Sequence, residues 1–282
     1  MIDASVLGTF EVTIDGQSIV PRANKPRQVL ALLVLHAPRV VSVDSLIDEL
    51  WGGLPPRSAL TTLQTYIMQV RRCIDDVAEV AADRGGNARG AKDVLLTSYA
   101  GYRLAIEANR VDVNAFRGAL AAGVHALETG DPELAADLLS RALADWHGDA
   151  LAGVEHGRRL AAESVRIRDD ALTALLARND AQLMLRRHQM LVGELAMLAD
   201  EHPLDERIRR QYMVACYRSG QPHRALDAFA TLRRTLIDEL GLEPSARTRA
   251  VHQQILSSDP RMDEPTPVAI AASLQQVMDG AA

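Results

Sequence analysis

Apolar and polar residues alternate at the start of the chain. Val6, Gly8, Phe10, Val12 and Ile14 share one parity, which predicts a strand. Asp15-Gly16 is a hairpin turn signal, and Ile19 begins the return. The spacing then becomes helical. Asn24 is expected as the N-cap before Lys25-Pro26, with Val29, Leu30, Leu33 and Val34 on one apolar face of a helix that stops at Pro38. Ser42 caps a short second helix that buries Leu46, Ile47, Leu50 and Trp51 and closes at Gly52-Gly53. A third helix follows in PPRSALTTLQTYIMQVRRCI, residues 55–74, with Leu60, Leu63, Ile67, Val70 and Ile74 as its buried stripe. Periodicity fades over 75–93, whose second half reads as a flexible loop, and VLLTSYAGYRLAI (94–106) predicts two strands around Tyr99-Ala100-Gly101. Sheet, three helices and hairpin is the order of a winged helix-turn-helix domain, assigned to residues 1–110.

From about Val111 the pattern is one of helical hairpins. RSGQPHRALDAFATL (218–232) superposes on MLRRHQMLVGELAML (184–198) at an offset of 34 residues, the tetratricopeptide period. ETGDPELAADLLSRAL (128–143) matches the first of these through Gly130, Pro132, Ala135 and Asp137, and a helix over 155–178 interrupts the array. The expected fold is therefore mainly α with a small β component: a winged helix-turn-helix domain, then a tetratricopeptide-like helical domain over 111–257. A flexible tail, 258–282, opens as a Pro/Asp-rich linker and has no assigned function.

Charge changes this picture at one place. The formal net charge is -6, yet residues 1–110 hold 12 Lys+Arg against 12 Asp+Glu. Any nucleic-acid contact must therefore be local. The third helix has no carboxylate between Pro55 and Ile74, whereas the helix before it carries Asp44, Asp48 and Glu49, as suits a helix turned away from DNA. Opposite the apolar stripe lie Arg57, Ser58, Thr61, Thr65, Met68, Gln69 and Arg72, with Tyr66 and Arg71 on the flanks. Hydroxyls and amides can read base edges, Met68 can meet a thymine methyl, and arginines can neutralise phosphates. Composition alone fits a merely solvated helix equally well, and it is the place of this helix in the domain that favours DNA. Lys25 and Arg27 suit either phosphate contacts or plain surface charge. Arg103 on the hairpin suits a backbone or minor-groove contact, or a surface ion pair.

Other chemistry finds no support. The eight His and two Cys form no HExxH, CxxC or other metal spacing, so no metal, cofactor or enzymatic activity is expected. GGNARGAK (85–92) lacks the phosphate-loop pattern. From two distant cysteines, no leader and no membrane-length apolar run, a cytoplasmic chain off the membrane is expected, with the nucleoid if it binds DNA. Trp146-His147-Gly148-Asp149 is expected to end a helix and pack Trp146 in the core.

LGTFEV (7–12), KPRQVLALLVL (25–35), VDSLIDELWGGLPPRSALTTLQTYIMQVRR (43–72), GYRLAI (101–106) and the stretch 174–245 together resemble the Streptomyces antibiotic regulatory protein family. These are activators joining an OmpR/PhoB-like winged helix to a bacterial transcriptional activator domain. The resemblance implies side-by-side protomers, a dimer on DNA, bound to direct repeats near promoters, with recruitment of RNA polymerase holoenzyme to antibiotic biosynthesis genes. It implies Arg57, Ser58, Thr61, Thr65, Tyr66, Gln69, Arg71 and Arg72 as recognition residues and Arg103 as the wing residue. It further implies a polymerase-contact loop at Trp51, Gly52, Gly53, Leu54 and Pro55. The chain departs from the pattern in a long glycine-rich 75–93 loop, a wing turn SYAG without a basic residue, and Arg186-Arg187 where a small turn residue is usual. With no ATPase, forkhead-associated or receiver module following, a stand-alone member is expected. The competing reading is a scaffold or sensor whose helical repeats bind a peptide or small molecule.

Overall fold

Main-chain pairing at the N-terminus is shorter than the alternation suggests. In the computed structural model, which describes residues 1–83, 90–264 and 268, β1 (Ile2–Ser5), β2 (Glu11–Ile14) and β3 (Gln17–Ser18) form an antiparallel sheet in that order. Ile2 pairs with Ile14, and Thr13 with Ser18. The expected strand over 6–14 is broken, because residues 6–10 bond to a distant segment instead. His147 N donates to Leu7 O (2.8 Å), Leu151 N to Val6 O (2.9 Å) and Phe10 N to Ala152 O (3.0 Å). Covered on both sides, this segment buries Leu7 as well as Val6, so parity fails there.

Three helices and a hairpin complete the winged helix. Helix α1 (Asn24–Leu35) is capped at Ala23, not Asn24, with no side-chain bond, and it buries every residue from Pro26 to Val34 except Arg27. It packs against α2, α3 and the hairpin at once, which is why one apolar face does not describe it. The two-residue strand β4 (Val41–Ser42) leads into α2 (Val43–Trp51), whose cap is Ser42 accepting from Ser45 N at 3.1 Å. Helix α2 buries Leu46 and Leu50, while Ile47 and Trp51 are only half-buried and Glu49 takes an interior place. Helix α3 (Ala59–Asp83) starts after Pro55-Pro56 and runs past Ile74 into the stretch expected to lose structure. A short α4 (Ala91–Val94) precedes β5 (Leu95–Ser98) and β6 (Gly101–Leu104), in a sheet ordered β4-β6-β5. Residues 84–89 of the expected loop, and the tail past Glu264 apart from Val268, lie outside the described residues.

The chain divides into two compact units. One comprises Met1–Gly118 with Ala144–Ala171, the other Ala119–Leu143 with Leu172–Ala282. Residues 144–171 thus belong with the winged helix although they follow position 110. Trp146, half-buried, meets Phe116 edge-on at 5.7 Å. The remaining helices are α5 (Asp112–Glu128), α6 (Pro132–Ala144), α7 (Arg158–Met184), α8 (His188–Glu201), α9 (Glu206–Arg218), α10 (Pro222–Leu240) and α11 (Ala246–Leu256). Helix α7 replaces the shorter 155–178 helix expected from sequence.

The sequence repeat appears in the second unit as a repeated turn. Gly220 N donates to Tyr217 O and Gln221 N to Cys216 O, both at 2.9 Å; Gly130 and Asp131 make the matching bonds to Leu127 and Ala126. The middle copy does the same with Arg186 to Leu183 O and Arg187 to Gln182 O. This is a Schellman closure, whose pivot residue is left-handed. Gly130 and Gly220 have φ of 80° and 74°, and Arg186, offset by 34 from Gly220, has 59°. A side chain in that region costs about 1–2 kcal/mol. Arg186→Gly is therefore expected to stabilise the protein by about 1 kcal/mol after the added freedom of the unfolded chain is subtracted. A higher urea midpoint with an unchanged slope is the expected reading, and a lower midpoint would show that the Arg186 side chain contributes more than its backbone costs.

Candidate nucleic-acid interface

Up to Ile74, helix α3 separates a buried face from a carboxylate-free exposed one. Leu63, Val70 and Ile74 are 0% exposed and Ile67 is 1%. Burying side chains of this size contributes about 1.5–3 kcal/mol each and holds the helix on α1. The first member of the expected stripe is wrong: Leu60 is 50% exposed and Ala59 takes the interior position. This rotates the first turn, so that Leu60, Gln64 and Met68 form a row beside Thr61, Thr65, Gln69 and Arg72, all exposed. Gln64 is absent from the expected surface because Leu60 is assigned to the interior there; its spacing of four from Met68 is the signal that points to it. Arg57 and Ser58, also exposed, precede the helix. Thr65 Oγ1 donates to Thr61 O at 3.1 Å, which leaves its lone pairs facing outward as acceptors.

Negative charge on α3 begins only at Asp75, and Asp75 Oδ1 accepts from Ala91 N at 2.9 Å, turned toward α4. Burial and the neighbouring Asp76 push the Cys73 thiol above its ordinary range, so it adds no charge at neutral pH.

Several other candidates have partners inside the first unit. Arg71 donates to Leu95 O at 2.8 Å and Thr97 Oγ1 at 2.8 Å, fastening α3 to the hairpin. Lys25 Nζ reaches Gln28 Oε1 (3.1 Å), Leu50 O (3.4 Å) and Glu155 Oε1 (3.2 Å). Arg27 donates to Pro21 O (3.1 Å), Arg22 O (3.1 Å) and Gly153 O (2.6 Å). Half-buried Tyr66 stacks on Trp51 with ring centroids 6.3 Å apart. Arg103 is exposed opposite Leu96, and Tyr99 stands free at the hairpin tip. In the loop after α2, Gly53, Leu54 and Pro55 are exposed, Leu54 by 89%.

This architecture has relatives. Residues 16–85 match the family model described as transcriptional regulatory protein, C terminal, and residues 111–256 match the bacterial transcriptional activator domain. The chain is 45% identical over 269 residues to the regulatory protein DnrI of Streptomyces peucetius, covering 95% of this chain and 97% of DnrI. The chain belongs to the Streptomyces antibiotic regulatory protein family. As a family member it is similar to the transcriptional regulator RedD of Streptomyces coelicolor, at 32% identity over 94% of this chain and 73% of RedD. A solved structure of Mycobacterium tuberculosis EmbR in complex with a low affinity phosphopeptide superposes with a TM-score of 0.82 at 30% identity, covering 99% of this chain and 69% of that one. These relatives are transcriptional regulators, and the chain is one in kind. Among its described residues no helix is long and apolar enough to cross a membrane.

Proposed function

We propose that the protein is a sequence-specific, DNA-binding transcriptional activator of antibiotic biosynthesis genes, without enzymatic activity, acting in the cytoplasm on the nucleoid. The observation that carries this reading is the exposed row of Thr61, Thr65, Met68, Gln69 and Arg72 on α3, with no carboxylate before Asp75. Protomers bind side by side on direct repeats, using residues 1–110 to read DNA, while residues 111–257 form the activator domain. The exposed loop at Gly53, Leu54 and Pro55, with Trp51 and Gly52 at its root, contacts RNA polymerase. Arg57 and Arg72 serve phosphates, as does Arg103 from the hairpin. Lys25, Arg27 and Arg71 support the surface from within, since each already has hydrogen-bond partners in the domain.

Salt dependence separates these roles. Removing one phosphate contact is expected to lower the slope of log affinity against log salt by about 1. Arg72→Ala should do so on a promoter duplex, and Lys25→Ala should not. Equal slopes for Arg72→Ala and the wild type would remove Arg72 from the interface.

A second reading, ligand binding by the repeats, would use the open surface cleft lined by Gln189, Val192, Gly193, Ser219, Gln221 and Arg224. It would add to DNA binding.

A further inference from the structure

A carboxylate on α2 joins that helix to α1 and to the start of α7. Glu49 is 2% exposed. Its Oε1 accepts from Gln28 Nε2 (2.8 Å) and Gly157 N (2.6 Å), and its Oε2 from Arg159 N (2.8 Å) and Leu160 N (3.1 Å). The last three are main-chain donors at the start of α7, where a helix leaves N–H groups without partners and favours negative charge. Approach is closest at Gly157, where an added Cβ would lie 1.9 Å from Glu49 O. Asp48 adds an ion pair to Arg159 Nε at 3.1 Å. From α1, Lys25 Nζ bridges Leu50 O and Glu155 Oε1, and Arg27 reaches Gly153 O. Two residues beyond Glu49, Trp51 stacks on Tyr66 of α3.

We propose that Glu49 is a positioning residue for the DNA-reading surface: its contact with residues 157–160 sets α2, and through Trp51 and Tyr66 the first half of α3. The reading unit then includes residues 144–171, well past the end of the winged helix. This rests on the assignment of α3 as the DNA reader. A loosened α2 would let the first half of α3, with Thr61 and Thr65, drift relative to Arg103 on the hairpin, and base contacts tolerate such drift poorly.

The test uses the full chain with Glu49→Gln, which keeps the volume but turns an amide N–H toward main-chain donors, and Gly157→Ala, which forces the two segments apart. Both are compared with wild type at a temperature where far-UV circular dichroism shows each fully folded. The variants should bind promoter repeats about tenfold more weakly, the equivalent of about one base contact, with affinity for a scrambled duplex unchanged. Hydrogen exchange of residues 51–58 in the free protein should accelerate. Wild-type affinity and selectivity in either folded variant would overturn the proposal, as would equal weakening on both duplexes. A parallel Thr65→Ala/Gln69→Ala variant separates the two levels. If it too binds as wild type, the α3 assignment fails and this proposal with it; if it loses selectivity while the Glu49 and Gly157 variants do not, only the positioning role fails.

Discussion

Replacing Thr65 and Gln69 together by Ala is expected to remove about 1–3 kcal/mol of sequence discrimination for every base that the two side chains read. Both side chains are exposed one helical turn apart on α3. A hydroxyl with free lone pairs and a primary amide can match the donor and acceptor edges that the major groove presents. The arginines that would hold phosphates, Arg57 and Arg72, remain in the double variant, so non-specific affinity and its salt slope should persist. Competition binding between promoter repeats and a scrambled duplex reads the difference directly. A variant that still protects the repeats with unchanged preference would mean that another surface selects the sequence.

Glu49→Ala is expected to destabilise the protein by about 3–5 kcal/mol, comparable to the loss on breaking a buried charged network. Four donors converge on this carboxylate, three of them main-chain amides at the start of α7. Truncation leaves the three amides without this acceptor, while Gln28 Nε2 keeps Glu49 O at 3.0 Å, and each unsatisfied group costs about 1–3 kcal/mol, reduced where water enters. Since a domain's whole stability is about 5–15 kcal/mol, the effect should be plain in urea unfolding. A loss below about 1 kcal/mol would show that the donors find water readily and that the contact is peripheral.

Helix order, the hairpin and the tetratricopeptide period are legible in the sequence because each rests on local periodicity and turn chemistry. Ser42 as a cap and the pivot at Arg186 follow from such signals, the latter through its register with Gly220. What escapes depends on segments far apart in sequence. The 6–10 stretch looks like half-buried strand, but residues 147–152 cover it and bury both parities. Glu49 looks like one more surface acid of α2, because nothing local announces that residues 157–160 will bring it three amides. Leu60 and Ala59 exchange places: hydrophobicity favours Leu at the first buried position, yet Ala59 is 6% exposed and Leu60 50%. That exchange hides Gln64 from the candidate surface. Likewise, basic residue type does not distinguish Arg72, which is exposed, from Arg71, whose partners lie in the hairpin.

The central claim, that the exposed row of α3 lies in the groove of promoter DNA, is tested most directly by a photoreactive phenylalanine analogue placed at Met68 in the intact protein. Met68 is 69% exposed in the middle of that row. After irradiation on promoter duplex, crosslinks should map to bases within each direct repeat, and the same probe at His223 in the helical repeats should give none. Crosslinks from His223 with none from Met68, on a duplex that the protein demonstrably occupies, would contradict the account.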